Sequence, residues 1–240
     1  MPKASPVLLL TRSCAQSNSF LRVCEDAAGR RIDALVAPIL RIAPLDAKVD
    51  LTGLEGVIFT SANAVSAIAG IPAAAGLRAW CVGERTARAA KSAGFDAVAA
   101  EGDAKALLSL VLRNRPTGPL LYLCGVHRAV DIAGQLTEAG VPTLAQAVYD
   151  QVAQPLSAEA LQLLTGADRP VILPLFSARS ARLIREAVPR IGDGVIPLAI
   201  SDKVAGAWGG GPELLSVARS PDAESMVALV VAAMDKDSAC

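Results

Sequence analysis

Hydroxyl-bearing, basic and small residues gather at six short stretches, each closing an apolar run. They are Thr11-Arg12-Ser13, Thr60-Ser61-Ala62-Asn63, Gly83-Glu84-Arg85-Thr86, Gly125-Val126-His127-Arg128, Ser177-Ala178-Arg179-Ser180 and Ser201-Asp202-Lys203. If each is a strand-to-helix turn, its free amides face a ligand. Backbone N–H groups at a helix start bind anions without a cationic side chain. Arg12, Arg85, Arg128 and Lys203 add positive charge to that pattern. Turns of this kind facing one cleft suit a ligand with several carboxylates or phosphates. Ser, Thr and Asp are also the ordinary helix N-caps, so the reading rests on the number of turns rather than on any one of them.

Other chemistries find no support in the residue pattern. His127 is the single histidine, which excludes a His-rich metal site and leaves a Ser–His–Asp triad dependent on that one residue. An exposed place near a helix start is the simpler reading of it. No Walker loop, G-x-G-x-x-G or G-x-S-x-G occurs, and Gly209-Gly-Gly211 follows a helix-like segment and reads as a loop. The cysteines Cys14, Cys24, Cys81, Cys124 and Cys240 are odd in number and lack C-x-x-C spacing. Buried thiols in a reducing compartment account for them without a disulfide framework or zinc knuckle. Nothing in the pattern resembles a metal cluster or a nucleotide-binding motif.

Charge and composition narrow the partners. The 23 basic and 23 acidic side chains cancel, removing the electrostatic footprint of a nucleic-acid binder. With two Trp, two Tyr and four Phe, base stacking has few platforms. Val7–Leu10 is too short for a signal segment, and Met226–Met234 spans about half a membrane at most, bracketed by Glu224 and Asp235. The expectation is a soluble cytoplasmic monomer acting on a small polyanionic molecule, with no nucleic-acid or membrane partner.

The elements that must position these turns follow from the 52% apolar content. Strand-like runs are Val7–Leu10, Leu35–Ala37, Val57–Phe59, Ala79–Val82, Leu120–Leu123, Val171–Leu175 and Val195–Ile200. Uninterrupted apolar runs of this length suit strands buried on both faces of a parallel sheet. Helical periodicity appears over Ala62–Ala69, Thr86–Ala93, Asp103–Arg113, Asp131–Ala139, Ala178–Ala187 and Ala223–Met234, with Gly94 and Gly140 as stops. The alternation predicts an α/β fold with parallel sheets.

The chain also repeats itself. Gly56–Val65 matches Pro170–Ala181, placing Ser61 opposite Ser177; Trp80–Ala87 matches Leu198–Ala205, and Val7–Arg12 matches Leu120–Gly125. The offsets of roughly 115 residues are too long for a solenoid and predict two similar α/β domains from one duplicated unit. Two Pro-flanked extended segments, Ala37–Leu45 and Ala147–Pro155, break the alternation. Proline suits edges and linkers, so these read as two crossings between domains, paired as an antiparallel ribbon beside a ligand cleft. Domain one is then 1–38 with 152–240, domain two 46–146, and the linker strands 39–45 and 147–151. Consecutive domains divided near Thr117 are the alternative.

Taken together, these turns resemble those of the uroporphyrinogen-III synthase family. The resemblance runs through Leu8–Arg12, Phe59–Val65, Val82–Ala87, Val148-Tyr149 with Pro155, and Ala218–Pro221, in the family's order and across nearly the whole chain. It implies two α/β domains joined by a two-stranded ladder, with substrate between them. It also implies a cofactor-independent hydro-lyase of tetrapyrrole biosynthesis that closes hydroxymethylbilane with inversion of the terminal pyrrole. Tyr149 matches the family's tyrosine, expected to assist loss of the hydroxyl; the other reading is a linker tyrosine supporting the ribbon. Thr86 matches a threonine that either binds a substrate carboxylate or caps a helix. Ser61, Ala62 and Asn63 match a substrate-facing turn, with Ser177 as counterpart, and Arg12, Arg85, Gly125, Arg128 and Lys203 complete the expected binding set. The sequence departs from the family at Ser201-Asp202-Lys203-Val204, where Val204 replaces a threonine, and at Asp150-Gln151. A non-catalytic two-domain module closing on a polyanion is the alternative function.

Two short connections and no linker helix predict a hinge between the domains. Small-angle scattering should then change when ligand is added; a single rigid body fitting both states would refute the hinge.

Overall fold

The computed structural model describes residues 5–71, 76–128, 130–166, 168–209 and 215–236. Cys240 and most of the Gly209–Gly211 run lie outside them. In chain order the first half contains β1 (Val7–Leu10), α1 (Cys14–Ala28), β2 (Ala34–Val36), β3 (Leu40–Pro44), β4 (Gly56–Phe59), α2 (Ala62–Ala67), β5 (Arg78–Cys81), α3 (Glu84–Ser92), β6 (Asp96–Ala99) and α4 (Ala104–Asn114). The second half contains β7 (Leu120–Gly125), α5 (Ile132–Glu138), β8 (Thr143–Ala153), α6 (Ala158–Gly166), β9 (Val171–Leu175), α7 (Ala178–Ala187), β10 (Val195–Ala199), α8 (Asp202–Trp208), β11 (Ser216–Val217) and α9 (Ala223–Lys236).

The chain forms two compact units, one of Met1–Arg41 with Ala153–Cys240 and one of Ile42–Val152. The first holds a five-stranded parallel sheet in the order β11-β10-β9-β1-β2. The second holds β3-β8-β7-β4-β5-β6, parallel from β8 to β6. The strands that carry the matching sequence segments (β4 and β9, β5 and β10, β7 and β1) occupy corresponding places in the two sheets.

Each sheet is covered on both faces, which is why its strands read as unbroken apolar runs. Side chains alternate along a strand. Thus Val7 and Leu9 join Val171, Leu173 and Leu175 in one core, while Leu8 and Leu10 join Ile172, Leu198 and α9 residues Met226 and Val230 in the other. In the second unit Val57, Phe59, Leu121 and Leu123 face one core, and Ile58, Trp80, Leu120 and Tyr122 face the other. Helix starts are capped from the sequence: the Asp131 carboxylate accepts the Gly134 amide at 3.0 Å, and the Asp103 carboxylate accepts the Ala106 amide at 2.6 Å.

Apolar periodicity did not reveal α1, α6 and β6. In α1 only Ser17, Phe20 and Cys24 are buried, a narrow stripe with a hydroxyl and a thiol in it. In β6 the sequence is Asp-Ala-Val-Ala and only Ala97 is buried. The segment read as a crossing from Ala147 starts earlier, because β8 runs parallel to β7 from Thr143. Its far end meets the β3 region, where the Leu45 amide donates to Val148 O at 2.9 Å and the Gln154 amide donates to Ile39 O at 3.0 Å. Opposed numbering of those partners makes the pairing antiparallel.

Burial, with Glu25 adding to it, pushes the Cys24 thiol up to about 12. Burial pushes Cys81 up to about 12 as well, with Lys91 opposing and Glu84 adding. An unfolded chain releases these protons near its ordinary thiol value of about 9. The buried thiols therefore contribute stability fully below that pH, and it is lost as pH rises through the folded value. Denaturation midpoints should fall between pH 9 and pH 12, and fall less steeply in Cys24→Ala/Cys81→Ala.

Candidate functional site

Both sheets reverse their order of construction at one point. In the second unit β4 leads to β5 and β6 on one side, while β7 leads to β8 on the other. In the first unit β9 leads to β10 and β11, while β1 leads to β2. Ligands of open α/β sheets bind beyond the carboxyl ends of the strands at such a reversal. Those ends are Thr60-Ser61 and Gly125 to Arg128 in one unit, and Thr11-Arg12 and Phe176-Ser177 in the other. The opposite, amino ends are closed by the protein's own charges. Arg78 pairs with Asp96 at 2.5 Å, Arg169 pairs with Asp33, and the Glu55 carboxylate accepts the Thr117 amide at 2.6 Å and also the Gly118 amide.

In the second unit, Ser61 sits in extended backbone and caps α2, accepting the Asn63 amide at 3.2 Å; Ala62 opens that helix. Tyr149 lies on β8 and is buried, its ring passing over Gly125. Burial pushes its phenol above the usual tyrosine value, and the Ser61 side chain pulls the other way. Beside it, the Tyr122 hydroxyl and Thr60 Oγ1 share a hydrogen bond of 3.0 Å. Burial also raises Tyr122, with Thr60 opposing. The Cys124 thiol donates to Gln146 O at 3.5 Å; burial raises it, and exposed Arg128 opposes. Tyr122 and Cys124 hide inside a buried apolar run and read as core. Only the parallel register, which sets Tyr122 opposite Ile58, two residues before Thr60, reveals that phenol.

In the first unit, the Arg12 guanidinium stacks on Phe176 at 4.3 Å from the ring centroid, a cation–π contact. Phe176 meets Phe20 edge-on at 5.0 Å, and the Ser17 hydroxyl donates to Arg12 O at 3.0 Å. Phe176 is a rim residue that motif reading missed, because it extends a buried run by one position. Ser177 caps α7, accepting the Ser180 amide at 3.0 Å and pairing with the Ser180 hydroxyl at 2.8 Å.

The remaining expected residues lie farther out. Arg85 and Lys203 are exposed in the first turns of α3 and α8, next to the outer strands β5 and β10. Thr86 and Val204 hold corresponding places in those helices and are only 6% and 4% exposed. Both side chains are thus turned into their units rather than toward solvent. His127 is exposed, with Nε2 3.6 Å from Asp150 Oδ1. Among the described residues no three His, Cys, Asp or Glu side chains converge as metal ligands, and no helix is long and apolar enough to cross a membrane.

Residues 25–228 match the protein family described as Uroporphyrinogen-III synthase HemD. The chain belongs to the uroporphyrinogen-III synthase family. Its fold is similar to that of the uroporphyrinogen-III synthetase of Helicobacter pylori 26695, with a TM-score of 0.66 and 16% identity over 96% of this chain and 100% of that one. The uroporphyrinogen III synthase of the extremely thermophilic bacterium Thermus thermophilus matches at 20% identity over 98% of this chain and 100% of that one, with a TM-score of 0.43. Comparison with curated proteins gave no match. For this family member, the polar groups that the fold brings together are Ser61, Asn63, Gly125, Arg128 and Tyr149 in one unit and Arg12 and Ser177 in the other.

The Thr60–Tyr122 pair gives a direct test of this rim. Thr60→Val should leave the buried phenol without its partner and cost about 1–3 kcal/mol, whereas Thr60→Val/Tyr122→Phe should recover most of that loss. Chemical denaturation of the wild type, Thr60→Val, Tyr122→Phe and the double variant measures the difference.

Proposed function

We propose that this chain is a uroporphyrinogen-III synthase, converting hydroxymethylbilane to uroporphyrinogen III with loss of water. The observation that carries the reading is the family match across residues 25–228. The same reading takes the two units as copies of one ancestral α/β unit joined by two strands, with both rims engaging one substrate. Helix-start amides, Arg12 and Arg128 bind its carboxylates, and Arg85 and Lys203 extend the positive rim. A cytoplasmic monomer working without cofactor suits this chemistry.

Much of the reactivity belongs to the substrate. The nitrogen of a terminal pyrrole drives out the hydroxyl and forms an azafulvene, to which the other end of the chain adds. The departing hydroxide needs a proton, and in this reading the Tyr149 phenol donates it, so that the hydroxyl leaves as water. Burial raises that phenol's pKa, so the proton is on the tyrosine at neutral pH. The rims must then hold the flexible chain so that spiro closure, with ring inversion, outruns simple head-to-tail closure.

Freshly prepared hydroxymethylbilane, incubated with the protein, oxidised and separated chromatographically, should give the type III isomer. Type I at the enzyme-free ratio would contradict the reading and leave a polyanion-binding module. Tyr149→Phe should lower kcat by about 100-fold or more while leaving the thermal midpoint nearly unchanged. Because the pKa is raised, the Tyr149-dependent turnover should persist past pH ~10, where an ordinary phenol ionises; loss below that pH would contradict the assignment.

A further inference from the structure

Gly125 ends β7 at the point where the Tyr149 ring crosses it. A Cβ built on Gly125 would lie 2.8 Å from Tyr149 Cζ, 2.9 Å from Cε2 and 3.0 Å from the hydroxyl oxygen. Gly125 is not among the positive-φ glycines, so what calls for glycine here is space rather than backbone freedom. The partner strand is irregular at the same place. Cys124 pairs with Ala147, but the next residue, Gly125, pairs with Tyr149, so Val148 is an extra residue in β8. Consecutive strand residues ordinarily point to opposite faces. Here Val148 and Tyr149 both join the core containing Val57 and Phe59. An inserted residue of this kind re-aims the side chain that follows it.

We infer that Gly125 and the Val148 bulge together form the seat of the Tyr149 phenol, with Gly125 a positioning residue that acts through the phenol rather than by touching substrate. The bulge turns the ring toward the carboxyl end of the sheet. The missing Cβ then lets it pass over the strand end, where the Ser61 side chain hydrogen-bonds its hydroxyl. The catalytic part of this inference rests on Tyr149 as the proton donor; the seat itself does not.

The protein has two tyrosines, so Cζ-labelled tyrosine gives two carbon-13 signals, assigned with Tyr122→Phe. In Gly125→Ala the Tyr149 signal should move more than that of Tyr122, and its titration should shift toward an ordinary phenol. kcat should fall about 10- to 100-fold with KM nearly unchanged. In a Tyr149→Phe background the same substitution should change kcat less than about twofold, since no phenol remains to misplace. An unmoved Tyr149 signal in folded Gly125→Ala, or an equal loss of kcat in the Tyr149→Phe background, overturns the inference. If Tyr149→Phe alone leaves turnover unchanged, the proton-donor reading falls, and the Tyr149 signal in Gly125→Ala still decides the seat. If Gly125→Ala does not fold, Gly125→Ala/Tyr149→Leu decides: restored folding supports the clash, and no restoration overturns it.

Discussion

A strand buried on both faces has only its two ends to offer a ligand, and that constraint governs both units of this chain. Helices cover each sheet on either side, so Val57, Ile58, Leu8 and Leu9 are spent on packing. The two ends then diverge in character. Amino ends are tied by Arg78 with Asp96, Arg169 with Asp33, and Glu55 with the Thr117–Gly118 amides. Carboxyl ends carry hydroxyls, glycine, arginine and the buried phenols. Partly exposed ion pairs add little stability; their consequence here is that the amino edge is already neutralised by the protein's own charges.

Within the second unit, small backbone choices set the place of the Tyr149 phenol. One extra residue in β8 and one absent Cβ in β7 decide where the Tyr149 ring lies. Burial among Val57, Phe59 and Leu123 decides that its proton stays on. Ser61 serves the helix as an N-cap and the phenol as a polar neighbour. In the proposed reaction, whose bond-making belongs largely to the substrate, the protein's part is a donor held in place and a shape imposed on a flexible chain.

The central strands were legible from sequence because a doubly buried strand is written as an unbroken apolar run, as Val7–Leu10 and Val171–Leu175 are. The turns at Ser61 and Ser177 were legible for the same reason, since a polar residue must close such a run. What escaped followed physical rules that a run of letters does not display. The α1 stripe is completed by Ser17 and Cys24, which do not count as apolar. Phe176 and Tyr122 look like core, and only strand order and register bring Phe176 under Arg12 and Tyr122 against Thr60. Gly125 read as one of several ligand-facing turn residues, while its contact with Tyr149 depends on a bulge that no local pattern announces. The expected hydroxyl at Thr86 faces inward, as Val204 does in the other unit.

Hydrogen exchange with and without a polycarboxylate tetrapyrrole shows whether the carboxyl ends of the strands form the binding edge. Ligand should slow exchange of amides at 60–63, 126–128, 12–14 and 177–180, and leave those at 53–55, 117–118 and 168–169 unchanged. Protection confined to the amino ends of the strands, or spread without regard to strand end, would contradict the account.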